Sequence, residues 1–126
     1  MIYADVAVIG GGPAGMSAAI SAKKAGAQKV VLIERDERAG GILQQCIHNG
    51  FGLHKFKEEL TGPEYGERYE QMTFEEGVQL FTDTTVTDLS RDRIVTCINE
   101  TGCFKIKAEA VVLAMGCRER PRGALN

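Results

Sequence analysis

The apolar residues of this chain fall in short runs, and the punctuation between them predicts the elements. Residues 4–9, ADVAVI, form a β-branched run that ends at Gly10, as a buried strand does. Pro13 suits the first turn of a helix, where its lack of an N–H costs nothing. Ala14, Ala18, Ala19, Ala22 and Ala25 then carry that helix to a stop at Gly26. Residues 29–33, KVVLI, read as a second buried strand with Glu34 at its end. Strand, helix and strand within about 30 residues make the βαβ unit of a parallel sheet.

From Arg35 to Pro63 the pattern is loop-like, punctuated by Gly40, Gly41, Gly50, Gly52 and Gly62, with a short helix expected over 53–60. Residues 64–76 predict a helix whose apolar side carries Tyr65, Tyr69, Met72 and Phe74, ended by Gly77. Residues 78–82 are a strand candidate. Three alternating segments follow, 84–90, 93–99 and 103–107, joined by turns at Arg91-Asp92 and around Thr101-Gly102; they predict an antiparallel meander. Residues 110–116, AVVLAMG, read as a further, fully apolar strand. No internal repeat or low-complexity segment interrupts this order.

Composition adds bounds. The chain has 126 residues, 44% hydrophobic and 25% charged, enough for one core but not for two independent domains. A net charge of −2 gives no sign of nucleic acid or an anionic membrane surface as the main partner class. Residues 6–22 carry no charge, but Gly10, Gly11, Gly12 and Pro13 break the run and Asp5 precedes it. The pattern therefore fits neither a signal peptide nor a membrane span. The cysteines, Cys46, Cys97, Cys103 and Cys117, show no C-x-x-C and no metal spacing, so reduced thiols and a cytoplasmic location are expected, with no metal. Cys97 and Cys103 are placed on facing arms of a hairpin.

The chemistry-bearing pattern is Gly10-x-Gly12-x-x-Gly15 between the first strand and the first helix. Gly10 permits the tight turn, Gly12 lets a diphosphate approach the backbone, and Gly15 lets the helix lie close to the sheet. The motif sets no demand on Gly11. The diphosphate would rest on the N–H groups at the helix start. Glu34, 19 residues beyond Gly15, stands where its carboxylate accepts hydrogen bonds from ribose hydroxyls, and its charge disfavours a 2′-phosphate there.

The stretches DVAVIGGGPAGMSAAISAKKAG and VVLIERDERAGG, with VVLAMGCRERP near the end, resemble the amino-terminal FAD-binding segment of the two-dinucleotide-binding-domain flavoproteins. These are the relatives of thioredoxin reductase and the pyridine nucleotide-disulfide oxidoreductases. Arg38-Ala39-Gly40-Gly41 is similar to that family's second glycine pair, and AVVLAMG to its strand ending Ala-Thr-Gly. The resemblance implies an α/β, Rossmann-like FAD/NAD(P)-binding domain, a parallel sheet with a βαβ start and an inserted antiparallel meander. It also implies site residues. Gly10, Gly12, Pro13, Ala14 and Gly15 would hold the diphosphate, Glu34 the adenosine ribose, and Arg35 would lie beside the adenine. Gly41 and Ile42 would meet the diphosphate–ribityl side, Val86 would offer backbone groups to adenine, and Ala114, Met115 and Gly116 would line the cofactor. Met115 stands where the family has threonine, so only backbone contact carries over there.

One branch of the family places a Cys-x-x-x-x-Cys after the second glycine pair. Here GGILQQCIHNG offers Cys46 alone, with His48 nearby, so no local redox dithiol is implied and no catalytic residue is assigned. The GCRERP stretch is similar to flavoprotein components of the oligomeric dehydrogenases that act on amines and opines, which implies partner subunits. Residues 42–70 resemble flavoproteins accompanying glycerol-3-phosphate oxidation. Family members continue into an NAD(P)-binding domain with a second glycine motif and then close the FAD domain. Residues 1–126 are accordingly expected to be the amino-terminal part of an FAD-binding domain, inactive by themselves, with NAD(P) needed only by the full-length protein. Two other readings stay open: an NAD-binding module, and a non-catalytic domain that uses the fold for partner contact.

Overall fold

The computed structural model describes residues 1–37, 39 and 62–116. Their elements run β1 (Ile2–Ile9), α1 (Pro13–Lys24), β2 (Val30–Ile33), α2 (Gly62–Glu75), β3 (Gln79–Phe81), β4 (Thr85–Leu89), β5 (Ile94–Asn99) and β6 (Gly102–Leu113). They build one six-stranded sheet in the order β3-β2-β1-β6-β5-β4. The pairs β1–β2, β2–β3 and β1–β6 are parallel, while β4–β5 and β5–β6 are antiparallel. The expected helix over 53–60, Tyr65's side chain and residues 40–50 lie outside the described residues.

The apolar runs sort onto two faces because successive strand residues point to opposite sides. Val8, Val30 and Leu32 pack with Met16 and Ala19 of α1 and with Val78 on one face. Ala7, Ile9, Val31 and Ile33 meet Val95, Cys97 and Ile106 on the other. Both faces of β2 are therefore buried, which is why its sequence is continuously apolar rather than alternating. The second face lies inside a curl of the sheet. Phe81 of β3 and Phe104 of β6 have ring centroids 5.4 Å apart, although three strand spacings, roughly 14 Å in a flat sheet, separate their backbones. The curl is held at its rim, where Asp83 N–H donates to the Asp36 carbonyl at 2.9 Å and Thr84 N–H to the Glu34 carbonyl at 3.0 Å.

Two expectations are corrected. The segments at 103–107 and 110–116 are not separate strands, because β6 is continuous through both. Residues 102–107 close the meander against β5, and residues 106–113 pair with β1, from Ile2↔Ile106 to Ile9↔Leu113. The inward residues change phase midway, from Ile106 and Ala108 to Val111, and β1 changes with it, from Ala4 to Ala7. A broken alternation thus marks a phase shift inside one strand. The second correction is Phe74, which is 82% exposed. At about 100° per residue, Thr73 rather than Phe74 follows Tyr69 on the inner side of α2. Thr73 is buried, and its hydroxyl donates to the Glu70 carbonyl at 2.6 Å.

At the opposite end of the sheet, Asp5 accepts N–H bonds from Gln28 and Lys29 at 2.8 and 2.9 Å, tying the α1–β2 loop to β1. The Lys29 and Gln28 bonds, in that order, hold the Asp5 carboxyl below its usual range.

Cys97 and Cys103 lie on the two arms of the β5–β6 hairpin but do not face each other. Cys97 sits opposite Phe104 in the β5–β6 register and Cys103 opposite Ile98, so the two thiols point to opposite faces of the sheet. Burial pushes the Cys97 thiol up to about 11, with the Cys103 thiol adding to the shift, whereas Cys103 is exposed. Alkylation of the folded chain at neutral pH, read by peptide mapping, is expected to label Cys103 and spare Cys97, whose thiolate fraction there is ~10⁻⁴. Labelling of both at equal rates would contradict this packing.

Candidate functional site

The site is built at the carboxyl ends of β1, β2 and β6. In an open parallel sheet this is where connections leave in opposite directions and a crevice opens. β1 sends its connection through α1 to β2 on one side, while β6 flanks it on the other. At the end of β1 the chain turns sharply. Gly10 has φ +110°, its N–H donates to the Ile33 carbonyl at 2.8 Å, and beside it Ala114 N–H donates to the Ile9 carbonyl at 2.8 Å. A Cβ on Gly10 would lie 2.2 Å from the Ala114 carbonyl oxygen, and one on Gly15 would lie 1.7 Å from that of Gly10. Strand, turn and helix are in backbone contact, and both glycines are required by the protein itself.

Gly12 differs. It is the N-cap of α1 at φ −73° and ψ −175°, extended backbone that any residue adopts. Serine, threonine, aspartate or asparagine at this position would bond the first-turn N–H groups, whereas glycine leaves them without a side-chain cap. Pro13 has no N–H, Met16 N–H closes the first helical bond to the Gly12 carbonyl at 2.9 Å, and no acidic residue stands in the first turn. The helix dipole is met at the far end by Lys23 and Lys24. The helix start thus offers N–H groups and partial positive charge, which fits the chemistry of a diphosphate.

Glu34 stands beside this turn, only 6% exposed and held on every polar side. Its N–H donates to the Phe81 carbonyl at 2.8 Å, and its own carbonyl accepts from Thr84. The carboxylate accepts Gly11 N–H on Oε1 at 3.0 Å and Asp36 N–H on Oε2 at 2.7 Å. Gly11, which the motif leaves undemanded, is therefore in contact with the acid. A Cβ there would fall 3.0 Å from Glu34 Cβ and 3.1 Å from Oε1. Sequence spacing could not reveal this, because it depends on how far the end of β2 stands from the turn after β1.

The fold brings Gly10, Gly12, Pro13, Ala14, Gly15, Glu34, Arg35, Ala114, Met115 and Gly116 to one end of the sheet. Arg35 and Met115 are exposed. Val86 lies two residues beyond Thr84, on β4 at the edge of the sheet, where a bulge follows it in the pairing with β5. Bulges are enriched at sheet edges and beside functional sites. Gly41, Ile42, Cys46, His48, Cys117 and residues 118–121 lie outside the described residues. Among the described residues no cluster of His, Cys, Asp and Glu is arranged to hold a metal, and no helix is long and apolar enough to cross a membrane.

Four parallel strands, a βαβ start with a glycine turn and a returning antiparallel meander define a Rossmann-like α/β protein. Residues 4–124 match the family described as pyridine nucleotide-disulphide oxidoreductase, and the chain belongs to that family of flavin-dependent oxidoreductases. It is similar to an opine oxidase subunit of Rhizobium meliloti, 32% identical over 129 residues covering 94% of this chain and 24% of that protein. A thioredoxin reductase of Peptoclostridium acidaminophilum is 33% identical over 119 residues, covering 94% and 36%. Among solved structures, L-proline dehydrogenase from P. horikoshii superimposes with a TM-score of 0.75 at 25% identity, covering 91% of this chain and 23% of that one. The chain thus spans between 23% and 36% of the length of these three relatives.

Proposed function

We propose that this chain is the FAD-binding portion of a flavin-dependent oxidoreductase. The observation that carries the reading is the uncapped start of α1 at Gly12, set one hydrogen bond away from the buried carboxylate of Glu34. A dinucleotide needs both features together: an anion cradle for the diphosphate and an acceptor for ribose hydroxyls within one nucleotide's reach. In this reading the backbone of Gly12, Pro13, Ala14 and Gly15 receives the diphosphate, and Glu34 accepts from the adenosine ribose. Arg35 and the backbone of Val86 flank the adenine, and Gly10 shapes the turn. Ala114, Met115 and Gly116 line the cofactor from the end of β6, and Gly41 and Ile42 approach from the second glycine pair.

Bound FAD supplies the two-electron chemistry, and the chain's own residues bind and orient it. The sequence places no second cysteine within ten residues of Cys46, so this reading assigns the chain no local redox dithiol. The opine oxidase relative is named as one subunit of its enzyme, which supports assembly of this chain with further dehydrogenase subunits. The dispersed cysteines support a cytoplasmic site of action.

The test is the absorbance of chain purified without added cofactor. A flavin band at about 450 nm, released by denaturation as FAD, is the expected result. A colourless protein that binds NAD but takes up no FAD would replace this reading with that of an NAD-binding module.

A further inference from the structure

In the role usual for an acid at the end of the second strand, Glu34 would serve the ribose alone. Its contacts are wider. One oxygen holds the Gly11 N–H of the phosphate-binding turn and the other holds Asp36 N–H, in the segment that carries the Asp83 and Thr84 contacts of the meander. The Gly11 bond is buried, and a buried N–H left without an acceptor is costly, so this turn depends on the carboxylate for its shape. We infer that Glu34 is a positioning residue for the diphosphate as well as an acceptor for the ribose: it braces the Gly10–Gly12 turn from behind, so that the helix-start N–H groups stand in binding geometry before a ligand arrives. The inference rests on the dinucleotide reading above and deepens it.

A carboxylate oxygen accepts more than one hydrogen bond, so each oxygen of Glu34 retains acceptor capacity for a ribose hydroxyl while holding its backbone donor. Bracing and ribose recognition are therefore compatible in one side chain. They predict different responses to a ligand that lacks the hydroxyls. If the acid only reads the ribose, removing it leaves such a ligand unaffected, or favours it by removing a negative charge near the diphosphate. If the acid also braces the turn, the same ligand binds more weakly, because part of its binding free energy is spent on re-forming the turn.

The experiment measures ADP and 2′,3′-dideoxy-ADP binding by calorimetry to the full chain and to Glu34→Ala. The wild-type chain is expected to prefer ADP, and Glu34→Ala is expected to weaken dideoxy-ADP by about tenfold as well as ADP, since one buried hydrogen bond to a charged group is at stake. Unchanged or tighter dideoxy-ADP binding by the variant, with ADP reduced to the same level, overturns the inference and leaves the dinucleotide reading standing. Failure of the wild-type chain to bind ADP or FAD at all overturns both. Glu34→Leu gives the same comparison if the alanine variant does not fold, because it fills similar space with neither acceptor oxygen. Amide exchange at Gly11 in the ligand-free chain is the independent readout: it is expected to be slow in the wild type and accelerated at least tenfold in whichever of the two variants folds. Equal rates would also overturn the brace.

Discussion

Gly10→Ala is expected to lower the stability of the ligand-free chain by at least about 3 kcal/mol, a large share of the 5–15 kcal/mol typical of a domain. Two costs combine. At φ +110° an L-residue is strained by roughly 1–3 kcal/mol. The new Cβ also lies 2.2 Å from the Ala114 carbonyl oxygen, a backbone atom that no rotamer change removes. The collision pushes β6 from β1 at the point where Ala114 N–H reaches the Ile9 carbonyl. Gly26 supplies a matched control. It has the same φ of +110°, but a Cβ there meets nothing within 4 Å, so Gly26→Ala carries the backbone strain without the collision. Urea unfolding of both variants separates the two terms, and equal losses of stability would refute the close β1–β6 contact at this turn.

Gly12→Asp is expected to move stability and ligand binding in opposite directions. At Gly12 the backbone already has N-cap geometry, and aspartate is among the preferred N-caps, a few tenths of a kcal/mol better than glycine. The ligand-free chain is therefore expected to unfold at the same or a slightly higher urea concentration. The same carboxylate occupies the first-turn N–H groups and sets a negative charge where the diphosphate would rest. Flavin affinity is expected to fall by 100-fold or more, about 2.7 kcal/mol, as expected when an anion site receives a fixed like charge. Flavin absorbance after gel filtration reports the binding. Retained flavin in a folded Gly12→Asp chain would place the diphosphate elsewhere. The pair of variants also tests the division of roles proposed for the two glycines, Gly10 for the fold and Gly12 for the ligand.

Local pattern was a sufficient guide wherever a residue's role depends on its chain neighbours. The strand–turn–helix order, the stop at Gly26, the buried strand at Val30–Ile33 and the acid at its end are short-range facts, carried by apolar runs and by glycine and proline. The three-glycine spacing belongs to the same class, since a strand leading directly into a helix places those positions within a single turn. Pattern failed where neighbours in space are distant in sequence. Phe74 is a separate case: its exposure follows from its angular position relative to Tyr69 on α2, a local fact that apolarity alone does not carry. The break in alternation at Ala108–Ala110 resembles the end of a strand, and only the constant register with β1 on both sides of it, Ala4↔Ala108 and Val6↔Ala110, shows it to be a phase shift.

By itself, then, the sequence determined the βαβ start, the glycine turn and the presence of an acid at the end of the second strand, because each follows from residue types a few positions apart within its own segment. Only the tertiary structure decided that Cys97 and Cys103 face opposite ways, that the sheet curls to bring Thr84 against Glu34, and that Gly11 matters. The sequence separation of 23 from Gly11 to Glu34 leaves their distance free in an extended chain. Parallel pairing of Val6–Ile9 with Val30–Ile33 removes that freedom and sets a 3.0 Å hydrogen bond between them.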